Sequence, residues 1–248
     1  MPERYLLSNP PASIVAHARV SLGRATAKVN AALVPSRHPE VAELCVVAED
    51  RPGLLARIAA AITAGKLEVL AAQVYSRTLD DDGAREASTD GDPSAPRGRG
   101  FEAVDLFWVR DRVDGADGAS KAMPRLLRDL NDVCTDVVDA SELLRARTGS
   151  SSSWSERRSP AVMTEVVIDD RASPRHTVVE VFAKDRPGLL HLLARKLHEA
   201  GLQIVVSKIN TEGTRVADVF YVNELDGAKL RPERFKALRE ALFLAVEG

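Results

Sequence analysis

One stretch of this sequence occurs twice, first as Ala48-Glu-Asp50-Arg51-Pro52-Gly53-Leu54-Leu55 and again as Ala183-Lys-Asp185-Arg186-Pro187-Gly188-Leu189-Leu190. The six residues that begin at each aspartate are identical, at an offset of 185 − 50 = 135. A chance match of this length within one short chain is very improbable, so the repeat indicates an internal duplication. The fold is therefore predicted to contain two copies of one small module.

The similarity continues on both sides of the repeated stretch at the same offset. Upstream, the β-rich residues 44–48 match residues 179–183, and downstream residues 67–74 match residues 202–209 as second strands. Between these strands the apolar residues recur at helical spacing in both copies. They are Leu55, Ile58, Ala59 and Ile62 in the first copy and Leu190, Leu193, Ala194 and Leu197 in the second. Each copy is thus predicted as strand, tight turn, amphipathic helix and strand.

The offset changes before the third strand. Asp105 matches Asp218 at 218 − 105 = 113, so the first copy holds 135 − 113 = 22 extra residues. They fall in residues 80–100, which are rich in Asp, Gly, Ser, Pro and Arg and are predicted to form a mobile surface loop. A second helix is predicted to close each copy, over residues 119–146 and 232–245.

Three further segments complete the chain. Residues 10–34 are predicted to form a leading helix, and a Ser-rich linker over residues 148–162 separates the two copies. The strand-like residues 163–169 fit either the end of the first sheet or the start of the second. Together these elements predict an α+β fold with two βαββα(β) modules, antiparallel sheets and a preceding N-terminal helix.

The composition limits the possible partners and the compartment. Lys+Arg 34 against Asp+Glu 36 gives a net charge of −2, which predicts neither a nucleic acid nor a membrane partner. The two cysteines, Cys45 and Cys134, are too few for a disulfide framework and favour a reducing compartment. The N-terminus lacks a signal-peptide pattern, and no apolar run approaches the ~20 residues of a membrane span. These features predict a cytoplasmic protein.

The repeated turn has the chemistry of a ligand site. The first N–H groups of a helix lack partners and lie at its positive dipole end, which attracts a carboxylate or a phosphate. Gly53 and Gly188 have no Cβ, so a ligand or a neighbouring backbone can approach them closely. Pro52 and Pro187 suit the start of a helix. Asp50 and Asp185 can cap the helix or bind the ammonium group of a ligand. The alternative is a capping turn without a ligand. The duplicated arginines favour a ligand site, although a salt-bridged role explains them equally well.

Other candidate sites have weaker patterns. His191 and His198 lie seven residues apart on one helix face, and helix packing or solvation is favoured over metal binding because no cysteine or acidic ligand lies at a suitable spacing. Arg97 and Arg99 are too few to indicate nucleic acid. The acidic run at 80–82 lacks the remainder of a calcium loop, and serines 151–153 lack a catalytic context. No catalytic residue, metal site or cofactor is predicted.

The turn and its flanking elements resemble the ACT domain, a ferredoxin-like regulatory module that typically binds amino acids. The resemblance extends further, because residues 2–8, 16–19 and 173–185 together with both copies are similar to the C-terminal third of the bacterial protein-PII uridylyltransferase/uridylyl-removing enzyme family. That family also has a nucleotidyltransferase domain and an HD phosphohydrolase domain, whose motifs are not found in this sequence. Its two ACT domains are thought to sense glutamine.

The resemblance implies domains and site residues. The domains are an N-terminal helical segment (1–38), a first ACT domain (39–147), a linker (148–162) and a second ACT domain (163–248). ACT ligands commonly lie between two modules, against the glycine turn of one and the start of the second strand of the same or the partner module. The corresponding residues are Asp50, Arg51, Pro52, Gly53, Leu54 and Leu55 with Glu68, and Asp185, Arg186, Pro187, Gly188, Leu189 and Leu190 with Gln203. Because Gln203 can donate a hydrogen bond and ionised Glu68 cannot, the second copy is the better candidate.

Three hypotheses for the function follow. The first is a non-catalytic amino acid sensor, with glutamine as the favoured ligand, that acts in nitrogen regulation with PII protein or separate catalytic domains as partners. The second is a fragment of a nucleotidyltransferase, which transfer of label from UTP to PII protein would reveal. The third is a structural dimerisation module without a ligand. Edge pairing of the sheets, in tandem or in a homodimer, is expected in each case.

Overall fold

The computed structural model of the chain describes residues 1, 3–79, 100–148 and 162–248. The first part contains α1 (Glu3–Ser8), α2 (Pro11–Arg24), β1 (Val29–Val34), β2 (Ala42–Glu49), α3 (Leu54–Ala64), β3 (Leu67–Gln73), β4 (Ser76–Leu79), β5 (Gly100–Asp111), α4 (Gly115–Cys134) and α5 (Ala140–Thr148). The second contains β6 (Glu165–Asp169), β7 (Thr177–Lys184), α6 (Leu189–Glu199), β8 (Leu202–Glu212), β9 (Arg215–Glu224), a 3-10 turn (Pro232–Arg234) and α7 (Phe235–Glu247). Most of the predicted loop and linker, with Arg97, Arg99 and the 80–82 and 151–153 runs, lies outside the described residues.

All nine strands of the described ranges belong to one antiparallel sheet, in the order β1-β2-β5-β3-β8-β9-β7-β6, with β4 beside β5. The two modules join where β3 pairs with β8. In that register Gln73 lies opposite Lys208, and these residues are equivalent in the two copies because 208 − 73 = 135. A pseudo-two-fold axis therefore passes between them. Both strands also carry a bulge at the same place, between Val69 and Ala71 and between Ile204 and Val206.

The α+β class and the ferredoxin-like antiparallel modules are confirmed, and the position of the edge strand is corrected. The edge strand next to β2 is β1, which lies in the part of the chain that the sequence predicts to be helical. The leading helix α2 ends at Arg24, before this strand begins. The strand-like residues after the linker form β6, which pairs with β7 and so belongs to the second sheet. Each module is therefore ββαββα, with its extra strand before the repeat rather than after it.

The helix expected over residues 119–146 is two helices, α4 and α5. The break follows Cys134, and Asp136 has a left-handed backbone with φ 59. Asp139 then accepts hydrogen bonds from the N–H groups of Ser141 and Glu142, which begins a new helix. The apolar spacing continues across this break, which is why it predicts one helix.

The sheet separates two apolar cores. Residues that alternate along a strand face opposite sides, so Leu44 and Val46 of β2 pack with α3 to α7, while Cys45 and Val47 pack with α1 and α2. The larger core is continuous across both modules, and α3 packs directly against α6. The smaller core lies only beneath the first module. The N-terminal helices thus cover the face of the first sheet that α3 leaves open.

Polar contacts fix the N-terminal helices to both modules. The Tyr5 hydroxyl lies 2.8 Å from His17 Nδ1, and His17 Nε2 lies 2.9 Å from Glu43 Oε1 on β2; all three side chains are buried. Arg4 donates to the carbonyl oxygens of Val74 and Val205, at 3.3 and 3.2 Å. Because Val74 follows β3 and Val205 lies in the β8 bulge, α1 contacts the junction between the two modules.

The two cysteines are free and buried on opposite sides of the first sheet. Burial raises the pKa of the Cys45 thiol to about 12 and that of Cys134 to about 11, so both thiols stay protonated near neutral pH. They therefore act as small apolar side chains in packing. Within the described ranges, no helix has both the length and the apolar character that crossing a membrane requires.

Candidate ligand-binding site

The repeated turns have nearly identical backbones. Gly53 and Gly188 are left-handed, with φ 80 and 79, and each is the N-cap of the helix that begins at the next leucine. No side chain caps either helix, so of the two roles predicted for Asp50 and Asp185 the structure does not show helix capping. The prolines precede the N-cap instead of occupying the helix start. Each helix therefore presents its first N–H groups without a side-chain partner, which suits an anionic group.

The duplicated arginines have a structural role. Arg51 donates to the carbonyl oxygen of Cys134, at 2.5 Å, and to Asp136 Oδ2, at 2.7 Å, where α4 ends. In the second module Arg186 donates to the carbonyl oxygen of Ala245, at 2.9 Å, in the last turn of α7. A cation at a helix C-terminus satisfies unpaired carbonyl groups and complements the negative dipole end. Each arginine thus ties its turn to the module's second helix.

Replacing Arg51 with alanine is expected to lower the free energy of unfolding by about 2 kcal/mol, because several charge-assisted hydrogen bonds to the end of α4 are lost. The Arg186→Ala variant is a matched control that loses one such bond, with an expected cost of about 1 kcal/mol. Urea denaturation of both variants measures the difference. Equal stability of the wild type and Arg51→Ala would show that the contacts at α4 contribute nothing.

Each turn faces a pocket at the junction of the two modules. The second-turn pocket is lined by Asp185–Leu190 together with Ala59, Thr63, Lys66, Leu67, Glu68, Val69, Arg112, Ile209, Thr211, Val216 and Asp218, and holds about 600 Å³ including its open mouth. The first-turn pocket is lined by Asp50–Ala56 together with Val74, Ala103, Asp105, Ala194, His198, Leu202, Gln203 and Ile204, and holds about 400 Å³. The pseudo-two-fold axis relates the two sets, so both pockets have the same plan.

In the structure each glycine turn lies beside the second strand of the other module. Glu68 lies with the second turn, and Gln203 lies with the first. Gln203 therefore gives no reason to prefer the second copy, because antiparallel joining of β3 and β8 brings each turn to the strand of the other module. Glu68 is also bonded to two arginines, with Arg110 Nε at 2.9 Å and Arg112 Nη2 at 3.1 Å. These cations offset the repulsion that Glu68 would exert on a ligand carboxylate.

A different pair of residues makes the two pockets unequal. His198 and Thr63 occupy equivalent positions, since 198 − 63 = 135, and each faces the glycine of the other module. A Cβ on Gly53 would lie 3.0 Å from the His198 ring, whereas a Cβ on Gly188 would lie 3.9 Å from the Thr63 methyl group. The histidine ring therefore fills space in the first-turn pocket that stays open in the second. The second-turn pocket remains the better candidate, for this steric reason.

The helix that carries His198 also places His191 at the junction. His191 is buried, and its Nδ1 lies 2.8 Å from the carbonyl oxygen of Ala56 on α3, so the ring nitrogen donates. Burial lowers the pKa of His191. Both histidines thus take part in packing between the modules, as the helix-packing interpretation predicts.

Sequence reasoning overlooked the buried aspartates Asp105 and Asp218 as candidate site residues. They are 1% and 2% exposed, they line the first- and second-turn pockets, and among the described residues Oδ1 of each has no hydrogen-bond partner. Burial and the neighbouring Asp185 raise the pKa of Asp218 to about 7, and burial with Asp50 raises that of Asp105. The sequence does contain a signal for these two residues, because an aspartate interrupts the equivalent apolar strand at the same position in both copies.

These features define an ACT-like regulatory fold in which each glycine turn lies over a pocket shared with the neighbouring module. Residues 165–246 match the family model described as ACR9-like, ACT-like domain. No solved structure matches the chain.

Over most of its length the chain is similar to bifunctional uridylyltransferase/uridylyl-removing enzymes. It is 36% identical to that of Gluconobacter oxydans (90% of this chain, 21% of the relative) and 31% identical to that of Phenylobacterium zucineum (99% and 24%). With the relative from Rhodospirillum rubrum the identity is 29% (98% and 24%). The chain spans about a fifth to a quarter of the length of these relatives. The resemblance predicted from the sequence is confirmed, and the chain is an ACT-type region homologous to their regulatory part.

Proposed function

We propose that this chain senses an amino acid, with glutamine as the favoured ligand, in the second-turn pocket. The observation that carries the proposal is a pocket between the modules that combines the uncapped start of α6 with the buried carboxylate of Asp218 and the partly buried carboxylate of Asp185. The helix start suits an α-carboxylate, and the carboxylates suit an ammonium group. Glutamine and nitrogen regulation are favoured because the relatives are bifunctional uridylyltransferase/uridylyl-removing enzymes, and the resemblance to that family implies glutamine sensing by the ACT domains.

Binding in this pocket provides a physical route to regulation. The ligand would contact the turn of one module and the strand of the other, so its affinity depends on how the two modules are arranged. The N-terminal helices hold the same junction through Arg4 and the first sheet through His17. A ligand that favours one arrangement would therefore shift the position of α1 and α2, and with them any catalytic domain or PII protein that contacts them in the cytoplasm.

Isothermal titration with glutamine tests the proposal. The wild type is expected to bind saturably, and Gly188→Leu is expected to lose binding because its side chain enters the second-turn pocket. The matched control is Gly201→Leu, since Gly201 is also left-handed, with φ 69, but an added Cβ there meets nothing within 4 Å. Both variants carry a similar backbone strain of about 1–2 kcal/mol, so only the effect on the pocket differs.

Two results would contradict the proposal. If neither glutamine nor a panel of other amino acids produces heat with the wild type, a structural module without a ligand becomes the better account. If Gly188→Leu and Gly201→Leu reduce binding equally, the ligand lies elsewhere. The alternative that the chain is a fragment of an enzyme is suggested by the names of the relatives. Incubation with labelled UTP and PII protein distinguishes it from the sensor, because a sensor region alone transfers no label to PII protein.

A further inference from the structure

The second-turn pocket contains a carboxylate that the fold itself does not satisfy. Asp218 lies on β9 and is 2% exposed, and no described residue bonds its Oδ1. The backbone N–H of Asn210 stabilises the charged form but accounts for only part of the carboxylate. Such groups are rare in folded proteins because an unpaired buried charge is costly. Because Asp218 also lines the second-turn pocket, a hydrogen-bond donor on a ligand could satisfy this oxygen.

The other charged groups around this pocket are engaged elsewhere or add to the negative potential. Asp185 and Glu68 are acidic, and each raises the pKa of a neighbouring carboxyl group. Arg112 is bonded to Glu68, and Arg186 is bonded to the end of α7. Lys66 lies at the end of α3, on the rim formed by the first module. The interior around Asp218 and Asp185 is therefore suited to receive a positive charge.

We propose that Asp218 and Asp185 form a subsite that binds the primary ammonium group of the ligand. This inference rests on the proposed sensing function and assigns the orientation of the ligand within it. An –NH₃⁺ group has three donors, so it can satisfy Asp218 Oδ1 and Asp185 together. The ligand's carboxylate then lies toward the uncapped start of α6 and the basic rim.

The first-turn pocket lacks this subsite in usable form, although it has the equivalent aspartate. There the hydroxyl of Ser76 donates to Asp50 Oδ2, at 2.5 Å, and the His198 ring lies over Gly53. Thr211, the equivalent of Ser76, instead donates to the carbonyl oxygen of Val69, at 3.3 Å, which leaves Asp185 available. The subsite is thus confined to one of the two pockets.

Binding of an ammonium group is coupled to the loss of a proton from Asp218. Because the pKa of Asp218 is raised to about 7 in the free protein, much of it is protonated at neutral pH, and a bound cation favours the ionised form. Affinity for an amino acid is therefore expected to rise by about tenfold between pH 6 and pH 8, with release of up to one proton. The electrostatic potential at Asp218 depends on the charged groups that line the same pocket, which are Asp185, Glu68, Lys66, Arg112 and Arg186.

The test compares glutamine with N-acetylglutamine, which lacks the ammonium group. In titrations of the wild type, the acetylated compound is expected to bind at least about thirtyfold more weakly. Asp218→Asn keeps the shape of the side chain and is expected to weaken glutamine binding by about tenfold or more. Asp129→Asn is the matched control, because Asp129 is also buried with one unpartnered oxygen but lines neither pocket, and it is expected to change binding by about twofold at most. Titrations in buffers of different ionisation enthalpy measure the released proton.

The outcomes separate this inference from the proposed function. Glutamine binding that is unaffected by Asp218→Asn, or N-acetylglutamine binding as tightly as glutamine, overturns the subsite while the sensing function stands. Absence of binding by every amino acid tested overturns both. If Asp218→Asn fails to fold, the comparison of the two ligands and the proton release in the wild type still decide the question.

Discussion

Replacing His17 with leucine is expected to weaken the docking of α1 and α2 on the first sheet by about 3–5 kcal/mol. Glu43 is 4% exposed, and the ring of His17 is the hydrogen-bond partner that the structure gives its Oε1. Leucine has a similar volume but no polar atom, so the variant leaves a buried carboxylate opposite an apolar side chain. The hydroxyl of Tyr5 loses its partner as well.

Amide hydrogen exchange measures this effect, because the amides of residues 3–24 are expected to exchange at least about a hundredfold faster in the variant while those of β7 and β9 are unchanged. The double variant His17→Leu/Glu43→Leu is the control. It replaces both polar partners by apolar ones and is expected to recover most of the protection. Equal exchange in the single and double variants would show that the histidine–glutamate contact does not hold the helices.

Replacing Asp218 with asparagine is expected to stabilise the ligand-free chain at alkaline pH. The pKa of Asp218 is raised to about 7 in the folded state, above the ~3.9 of an unfolded aspartate. The folded state therefore binds more protons between these values, so the stabilising contribution is present at low pH and is lost as the pH rises through 7. From pH 5 to pH 8 the wild type is expected to lose on the order of 3 kcal/mol more than the variant.

Urea denaturation of both proteins at several pH values tests this expectation. The opposing effect of His191, whose pKa burial lowers, destabilises the fold below about pH 6.5 in both proteins and cancels in the comparison. Parallel stability curves for the two proteins would contradict the burial of an ionisable Asp218. A variant that is more stable but binds less ligand would fit the usual trade-off between the stability of a fold and the function of its site.

The sequence predicts the two modules well because each sequence pattern that marks a strand, turn or helix occurs in both copies. The shared turn and the helical spacing after it both locate elements that the structure contains. The edge strands are harder, because β1 and β6 have only six and five residues. The sequence predicts Val29–Val34 as part of the leading helix, because the pairing of this segment with β2 depends on tertiary contacts.

The candidate site shows the limit of reasoning from one sequence. An offset of 135 relates each turn to both strands equally, so it does not decide whether Glu68 faces the first turn or the second. That choice is made by the pairing of Ala72 with Ile209 across the module junction. The roles of Arg51 and Arg186 likewise depend on helix ends that lie far along the chain. Whether the turns bind a ligand stays a prediction.

The pairing of β3 with β8 within one polypeptide has a consequence for dilution. Two separate modules that met through the same strands would dissociate as their concentration fell, and a pocket shared between them would vanish with the dimer. Here the covalent connection keeps the partner strand at a high effective concentration whatever the abundance of the protein. A response built on this junction would report the level of the metabolite without also reporting how much sensor the cell has made.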